Sequence, residues 1–398
     1  MALYYNPTVA QSGLVFCYDV NSARSWKGKP ATNVIPYPEA SYNYATNAMV
    51  FGYNYDSTAT TVKDFVYGVD NPVGASGVFR VQTGTTGYKY FTIDCPISTT
   101  GTYTFSYYAK VISGSTNLNL QQLWRDSSVG DQSVTGDWNP TYTNSWVRYS
   151  TTGPVPNGPI LGYFLEHSGS ITGGTTIYYT GLQMETGSFA SPWVNGSRTN
   201  TQSLLDLSSN QSTITANSLT YATGNTFSFN GTSDYLTVAS GQNYYSGGFT
   251  CEAIVKFTSA AQTWERIIDF GSGTPSENII FSRSGNSNDL RLQIFNGSTS
   301  VADISATGAI TNGSYAHYAV TANGTNLYIY KNGVQVATVA SLGLPGNVSR
   351  STNYIGRSLW SGDSYFSGNI DMVRTYSRAL SAAEINANYR SIANKYGI

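Results

Sequence analysis

Short alternating runs separated by turn residues recur along this sequence, and they constrain the fold more than any other feature. The segment NLYIYKNGVQVAT (326–338) places an Asn-Gly pair between two such runs, the strongest short-range signal for a β-hairpin. The run FTCEAIVKF (249–257) also alternates, so one face, with Phe249, Cys251, Ala253, Val255 and Phe257, is expected to point inward. Many short strands at this spacing predict an all-β fold of antiparallel β-sandwiches or jelly rolls.

One helix is predicted, close to the C-terminal end. Ser381 and Glu384 form an S-x-x-E capping box, and Leu380 and Ile385 occupy the hydrophobic-staple positions around it. Apolar residues then repeat at helical spacing through Ile392 and form one apolar face. Because a helix this short is only marginally stable alone, we expect it to dock on the β structure.

The low charge of the chain excludes several classes of partner. Charged residues make up 11% of the sequence and the net charge is −1, well below the roughly one quarter that is usual for globular proteins. There is no basic face for a nucleic acid, and no apolar run approaches the ~20 residues that membrane insertion requires. The N-terminal segment MALYYNPTVAQSG lacks the features of a secretory signal, so we expect the protein to fold in the compartment where it is made.

The cysteines give no sign of a disulfide framework. The sequence contains three, Cys17, Cys95 and Cys251, which are widely spaced and lie in strand-like runs. An odd number at such spacing predicts buried free thiols.

Catalytic motifs are missing from the sequence. The two histidines, His167 and His317, are far apart, and His317 lies in an alternating run where a structural role is expected. No H-E-x-x-H, G-x-S-x-G, P-loop or paired-cysteine metal spacing occurs. Folding could still bring two carboxylates together for glycoside hydrolysis, but there is no dense acidic motif such as E-x-D-x-x-E. The sequence therefore predicts that the protein is not an enzyme.

The C-terminal half resembles the laminin-G-like, concanavalin-A-like lectin domains of bacterial and phage surface proteins. The matching segments are FSFNGTSDYLTV, FTCEAIVKF, RIIDFGS, HYAVTANGTNLYIYKNGVQVAT, NYIGRS and GNIDMVRTYSRALSAAEI. The resemblance implies that the strand within GNIDMVRTYSRAL closes a jelly roll and that the capped helix covers a sheet edge. This fold hosts lectins, enzymes and spacers alike, so it implies little about function.

Residues 31–199 resemble the jelly-roll carbohydrate-binding modules of phage tail proteins. The segments TNVIPYPEASY, GTYTFSYYAKVISG, NSWVRYSTTG and IYYTGLQMETGSFASPWVNGSRT carry this resemblance. It implies a structural calcium held by Glu39 and an Asp near the last strand. The last strand reads Tyr178-Tyr179-Thr180-Gly181 and contains no Asp. Calcium is therefore not assigned, and no cofactor is predicted.

The order of these segments indicates an insertion. The segment SGLVFCYDVNSARSWKG (12–28) is similar to the opening strand of the laminin-G-like family, whose usual continuation appears only from Leu204. We expect a laminin-G-like domain made of residues 1–30 and 200–398, interrupted in a surface loop by a jelly roll of residues 31–199. The alternative is two domains in series behind a free N-terminal strand. The insertion predicts that Leu14–Tyr18 pairs with the strand at Ile370–Tyr376.

Aromatic residues supply the candidate ligand site. The chain contains 32 Tyr and 7 Trp, and exposed flat rings offer platforms for the CH faces of sugars. For each residue the alternative role is core packing or a subunit interface. The candidate sugar platform consists of Trp124, Trp138, Trp264, Trp360, Asp363, Tyr244 and Tyr245.

Three functions remain open at this point. The first is a phage virion protein, a tail fibre, tail-tip or capsid-attached component, that binds a host cell-surface glycan and contacts other virion proteins as a homo-oligomer. The missing secretory signal favours this function and a location in the virion. The second is a purely architectural virion decoration or spacer, and the third is a secreted bacterial lectin or adhesin.

Overall fold

The computed structural model describes residues 9–35, 51–52, 62–82, 89–93, 97, 99–116, 120–126, 130–138, 140–155, 160–167, 174–222, 226–258, 262–340 and 343–398. In these ranges the chain forms antiparallel strands followed by one helix, which confirms the all-β prediction. The elements are β1 (Leu14–Asp19), β2 (Ala31–Thr32), β3 (Phe51–Gly52), β4 (Val62–Tyr67), β5 (Gly77–Gln82), β6 (Lys89–Ile93), β7 (Gly101–Ser113), β8 (Leu120–Asp126), β9 (Gly130–Trp138), β10 (Val147–Val155), β11 (Ile160–His167), β12 (Thr176–Thr186), β13 (Ser197–Arg198), β14 (Ile214–Asn217), β15 (Thr220–Ala222), β16 (Thr226–Asn230), β17 (Tyr235–Val238), β18 (Phe249–Phe257), β19 (Arg266–Gly271), β20 (Ile279–Arg283), β21 (Leu290–Asn296), β22 (Thr299–Ala306), β23 (Ala316–Ala322), β24 (Asn326–Lys331), β25 (Val334–Ala340), β26 (Thr352–Ile355), β27 (Ser367–Tyr376) and α1 (Ala382–Tyr396).

The chain divides into two compact units. The first unit contains residues 1–29, 200–222 and 226–398, and the second contains residues 30–199 and 223–225. Strand β1 belongs to the first unit, where it pairs antiparallel with β27 and places Leu14 opposite Tyr376 and Tyr18 opposite Val373. The expected pairing of the opening strand with the closing strand is thus present.

The first unit is a sandwich of two antiparallel sheets. One sheet has the order β15-β16-β27-β18-β23-β24-β25, with β1 added beside β27, and the other has the order β14-β17-β26-β19-β20-β21-β22. Side chains from both sheets meet in one apolar core, for example Phe16 and Phe270, whose ring centres lie 6.4 Å apart. The inward residues of β18 expected from the alternation all belong to this core, which confirms that expectation.

Helix α1 docks on a sheet face, and the expectation that it covers a sheet edge is wrong. Its buried residue Ile385 packs with Tyr330 and Tyr376, and Ile392 packs with Ile254 and Met372 on the central strands. The capping box is present as predicted. The cap and the helical repeat show that the helix must bury one side, but they contain no information on which surface receives it.

The predicted hairpin joins β24 to β25. Asn332 and Gly333 have φ angles of 49° and 75°, the left-handed values that a type I′ turn requires at both central positions. In the described sheet β25 is the terminal strand, and its Val334 is 62% exposed.

In the described residues of the second unit there are two five-stranded antiparallel sheets and one short pair of strands. The five-stranded sheets have the orders β10-β7-β12-β5-β4 and β3-β6-β11-β8-β9, and β13 pairs with β2. The core along the first of these sheets is rich in tyrosine, and the hydroxyls of Tyr107 and Tyr142 lie 2.7 Å apart. Burial raises the pKa of both phenols well above their ordinary value, so they stay neutral.

Two of the three cysteines lie in the described residues. Cys17 and Cys251 are buried free thiols, as expected, and burial raises the pKa of Cys251 well above its ordinary value. Cys95 lies outside the described residues.

Candidate functional site

A cleft of about 300 Å³ opens on the outer face of the second sheet of the first unit. Along β21, Leu290 and Leu292 point into the core, so the alternating residues Arg291 and Gln293 point outward into the cleft. The same alternation on β20 turns Ile280 and Ser282, both buried, toward the floor of the cleft. The lining residues are Trp264, Arg266, Ile280, Ser282, Arg291, Gln293, Phe295, Trp360 and Asp363.

Two tryptophans from separate segments reach the cleft. Trp264 lies just before β19 with φ of +60°, and its backbone N–H donates to the carbonyl of Gly285 at 2.9 Å. A left-handed backbone is rare for a bulky residue, and such strain is typical of functional sites. Trp360 lies between β26 and β27. Its ring centre is 6.1 Å from that of Phe295, and its backbone N–H donates to Ser358 Oγ at 3.1 Å.

Arg266 connects the two indoles. Its guanidinium carbon lies 5.8 Å from the ring centre of Trp264 and 5.7 Å from that of Trp360, within range of cation–π attraction. The same guanidinium donates to Asp363 Oδ2 at 2.5 Å and, through Nε, to Ser358 Oγ at 3.2 Å. These contacts fix the two rings and the carboxylate relative to one another.

A second arginine on the cleft is also paired. Arg291 lies 5.3 Å from the Trp264 ring centre, and its Nε donates to Asp303 Oδ1 at 2.8 Å while Nη2 donates to Oδ2 of the same residue. This is a two-pronged arginine–carboxylate contact across neighbouring strands. Both arginine charges on the cleft are therefore balanced by carboxylates of the chain.

A buried carboxyl lies beneath the cleft. Asp269 accepts hydrogen bonds from the Leu359 N–H and Asn278 Nδ2, both at 2.9 Å, and its Oδ2 lies 3.7 Å from Arg266 Nε. Burial raises the pKa of Asp269 to about 6, although Arg266 and the hydrogen bonds oppose the shift. Asp269 does not line the cleft itself. Its contact with Arg266 therefore comes from beneath the cleft.

The structure brings three of the seven predicted site residues together. Trp264, Trp360 and Asp363 line the cleft, whereas Tyr244 is a surface residue elsewhere, 38% exposed. Placing Tyr245 in the site was wrong, because it is fully buried and its hydroxyl bonds to Gln242 and Thr375.

The remaining two predicted residues belong to the second unit. Trp124 lies on β8 and Trp138 on β9, but their side chains fall outside the described part of the structure, so their role stays a prediction.

The site predicted from the sequence did not include the residues that hold the tryptophans in place. Arg291, Gln293 and Phe295 could have been found, because they form the second face of the alternating run LRLQIFN. No pattern in the sequence marked Arg266 as a site residue. It became visible only when the fold placed it between two indoles that are 96 residues apart in the sequence.

Within the described ranges, no group of three or more His, Cys, Asp or Glu residues is placed to hold a metal ion. Glu39, which the family resemblance linked to calcium, lies outside those ranges. No helix among the described residues has the length and apolar character needed to cross a membrane.

Residues 230–386 match the profile of the family described as the concanavalin A-like lectin/glucanases superfamily. No curated protein matches the chain. Similar solved structures include the Ruminococcus gnavus IT-sialidase CBM40 bound to α2,3-sialyllactose, with 15% identity, a TM-score of 0.33, and coverage of 38% of this chain and 94% of that one. Domain 4 of AbnA, a GH43 extracellular arabinanase from Geobacillus stearothermophilus in complex with arabinotriose, has 21% identity, a TM-score of 0.37, and coverage of 46% and 91%. The binding domain of botulinum neurotoxin DC in complex with rat synaptotagmin II has 17% identity, a TM-score of 0.39, and coverage of 49% and 50%. All three similarities are distant.

Proposed function

We propose that this protein binds carbohydrate without turning it over, and that the ligand is a neutral saccharide held in the cleft between Trp264 and Trp360. The observation that carries the proposal is the pair of half-buried indoles fixed on either side of Arg266. Indole faces pack on the CH faces of sugars, and a few polar groups at the same place give direction to the hydroxyls. Asp363 and Gln293 supply such polar groups here.

The charge distribution favours a neutral ligand at this cleft. Arg266 pairs with Asp363 and Arg291 pairs with Asp303, so neither guanidinium is available to a ligand carboxylate without losing its partner. An acidic sugar would also lie close to both aspartates. A saccharide that carries only hydroxyls can bond to the remaining lone pairs of the aspartates and the remaining N–H groups of the arginines. Neither ion pair has to break for this.

The same pairing argues against catalysis. Glycoside hydrolysis uses two carboxyl groups, one of them a protonated acid and the other a free base or nucleophile. In the cleft Asp363 Oδ2 accepts hydrogen bonds from both Arg266 and Ser358, so this oxygen is already engaged by the chain and is not a free base or nucleophile. Asp269, whose pKa is raised, does not line the cleft.

We further propose that the protein works as a virion component that attaches to host cell-surface glycans through several copies. Its low charge and its β-sandwich construction support this role. Several copies would raise the overall affinity of a weak site by roughly 10²–10⁴ through effective concentration. Imaging of purified particles with an antibody to the protein tests its place in a virion. Labelled particles support the proposal, and a protein found only in the secreted fraction of a bacterial culture would replace it by a secreted lectin or adhesin.

Binding at the cleft can be tested on an array of neutral di- and trisaccharides, with the protein displayed on streptavidin tetramers. Trp360→Ala should weaken binding about tenfold, because the stacking platform is removed. Trp360→Phe should lose much less, because a ring remains. Tyr244→Ala is the matched control, since it removes an exposed aromatic residue that does not line the cleft.

Three results would contradict the proposal. The first is a multivalent wild type that binds no saccharide on the array, which would favour an architectural role. The second is equal loss of binding in the Tyr244→Ala control. The third is release of reducing sugar from a bound saccharide, which would overturn the absence of turnover.

A further inference from the structure

A second cluster on the same outer face holds an arginine between three tyrosines. The guanidinium carbon of Arg357 lies 4.7 Å from the ring centres of both Tyr235 and Tyr354 and 5.5 Å from that of Tyr365. The rings support one another, with the centre of Tyr235 5.4 Å from Tyr354 and 6.0 Å from Tyr365. We call these four residues the tyrosine–arginine cluster.

The strands determine where this cluster lies. Tyr235 begins β17 and Tyr354 lies on the adjacent β26, while their neighbours Leu236 and Ile355 point into the core. Both tyrosines therefore point outward. Tyr354 also pairs with Asp269 across to β19. The cluster therefore lies beside the tryptophan cleft, with β26 next to β19, whose Arg266 lines that cleft.

Arg357 has no counter-ion in the described part of the chain. Within the described residues its guanidinium makes the three cation–π contacts, and no hydrogen-bond acceptor or carboxylate lies within bonding distance of it. The nearest acidic residues in sequence and strand order are already engaged. Asp363 is bonded to Arg266, Asp269 accepts from the Leu359 N–H and Asn278, and Asp234 accepts from the N–H and hydroxyl of Thr220. This distinguishes Arg357 from the paired arginines of the cleft.

The donors of the cluster remain available. All four side chains are half-buried. None of their nitrogen or oxygen atoms is both fully buried and without a hydrogen-bond partner. Because the three tyrosine hydroxyls and the guanidinium make no hydrogen bonds within the described residues, they are left to solvent. Stacking on the rings orders the guanidinium while leaving its N–H edge unused, which lowers the entropy lost on binding.

We propose that the tyrosine–arginine cluster is a second binding site, for an anionic group carried by a saccharide, such as a uronic acid carboxylate. A planar guanidinium presents its N–H groups in a fork that matches a carboxylate with two parallel hydrogen bonds. The tyrosine rings provide an apolar surface for the sugar carbons beside that carboxylate. The site is separate from the tryptophan cleft and does not depend on the cleft binding a neutral sugar.

The test compares three probes, sodium glucuronate, glucose and inorganic sulfate, by calorimetric titration of the full chain and by the NMR signal of the Arg357 Nε–H group. Wild type should bind glucuronate at least about tenfold more tightly than glucose, and the affinity should fall with added salt. Arg357→Gln should lose this preference. Arg357→Lys should retain part of it, since the charge remains but the fork is lost.

Two control variants separate this site from other effects. Arg390→Gln removes one positive charge from the exposed surface of α1 and should bind glucuronate as wild type does. Trp360→Ala should also bind it unchanged, even if neutral saccharides no longer bind, so failure of the cleft and failure of this site give different results. Melting temperatures identify variants that do not fold, and Arg357→Lys then serves in place of Arg357→Gln.

Some outcomes would overturn the proposal. One is a wild type that binds glucuronate no better than glucose, and another is an Arg357→Gln variant that binds it as well as wild type. If inorganic sulfate binds as tightly as glucuronate, the tyrosines add nothing for a saccharide, and the proposal of a saccharide site is wrong.

Discussion

The outer faces of the two sheets in the first unit carry similar residues, but these residues are buried on one face and partly exposed on the other. On one face Glu252, His317 and Arg374 come together beneath α1, and all three side chains are fully buried. On the other face Arg291 and Asp303 form the same kind of pair with 21% and 44% of their side chains exposed. Arginine, carboxylate and aromatic side chains thus occur on both faces, and only one of them is covered by the helix.

The helix decides which sheet face is covered and which stays open. Asn388 of α1 donates to Glu252 Oε2 at 2.8 Å, and Tyr389 stacks beside His317 with ring centres 6.0 Å apart. Contacts from α1 thus reach the polar and aromatic groups of the covered face. On the open face the corresponding positions stay accessible, because no element of the described chain lies over the cleft.

The largest effect is expected when the buried cluster is broken. Glu252→Ala removes the acceptor of Asn388 and the carboxylate nearest to the buried Arg374 and His317. Taking one partner from a buried charged cluster costs about 3–5 kcal/mol of the free energy of unfolding. Urea unfolding, followed by circular dichroism and by tryptophan fluorescence, measures the change.

Asp303→Asn is the matched variant on the open face. It weakens an exposed pair, so the free energy of unfolding should fall by less than about 1 kcal/mol. If the two variants cost the same, the helix does not distinguish the two faces, and the comparison fails.

A second, smaller effect should appear in the pH dependence of stability, because each face contains a buried carboxyl whose pKa is raised. Burial raises the pKa of Asp269, under the open face, and of Asp371, close to the end of α1, to about 6. An unfolded Asp has a pKa of about 3.9. The folded state therefore binds these protons more tightly, and the resulting stability is fully present below pH 4 and lost as the pH rises through 6.

Between pH 5 and 7.5 each group should remove about 1.4 kcal/mol from the free energy of unfolding. Asp269→Asn and Asp371→Asn should each abolish their own share of this loss, measured by urea unfolding at both pH values. Glu384 does not interfere in this window, since Arg378 lowers its pKa to about 2. A flat profile in wild type would show that neither carboxyl holds a proton near neutral pH.

The smallest effect concerns the cap of the covering helix. Ser381 Oγ accepts from the Glu384 N–H at 3.3 Å, and Glu384 Oε2 accepts from the Ser381 N–H at 2.9 Å. Ser381→Ala should lower the stability of α1 by about 1 kcal/mol, and Ser381→Thr should preserve it. Hydrogen exchange of the helix amides measures the change.

The cap variant also tests whether the two faces act independently. Saccharide binding at the cleft should be unchanged in Ser381→Ala, because the cleft lies on the opposite sheet. A parallel loss of binding would mean that the covered face supports the open one.

Local patterns in the sequence were enough to predict several elements of this fold. The alternation in FTCEAIVKF gave its core face, Asn332-Gly333 gave the hairpin, and the S-x-x-E box gave the start of α1. Each of these depends on residues within one turn or one strand, where backbone geometry and side-chain period act directly. The closing pair of β1 and β27 needed the additional information of segment order.

The tertiary structure alone decided the rest. Trp264 and Tyr245 are both aromatic residues beside short polar stretches, yet one lines the cleft and the other lies in the core. Glu252 and Asp363 are both isolated acidic residues in the sequence, yet one is buried under a helix and the other lines the cleft. Exposure depends on which surfaces pack together over long sequence separations, and that is settled by the whole set of contacts and by no single segment. The sequence by itself therefore determined strands, turns and cap, while the docking of α1 on one sheet face determined that the cleft on the other stays open.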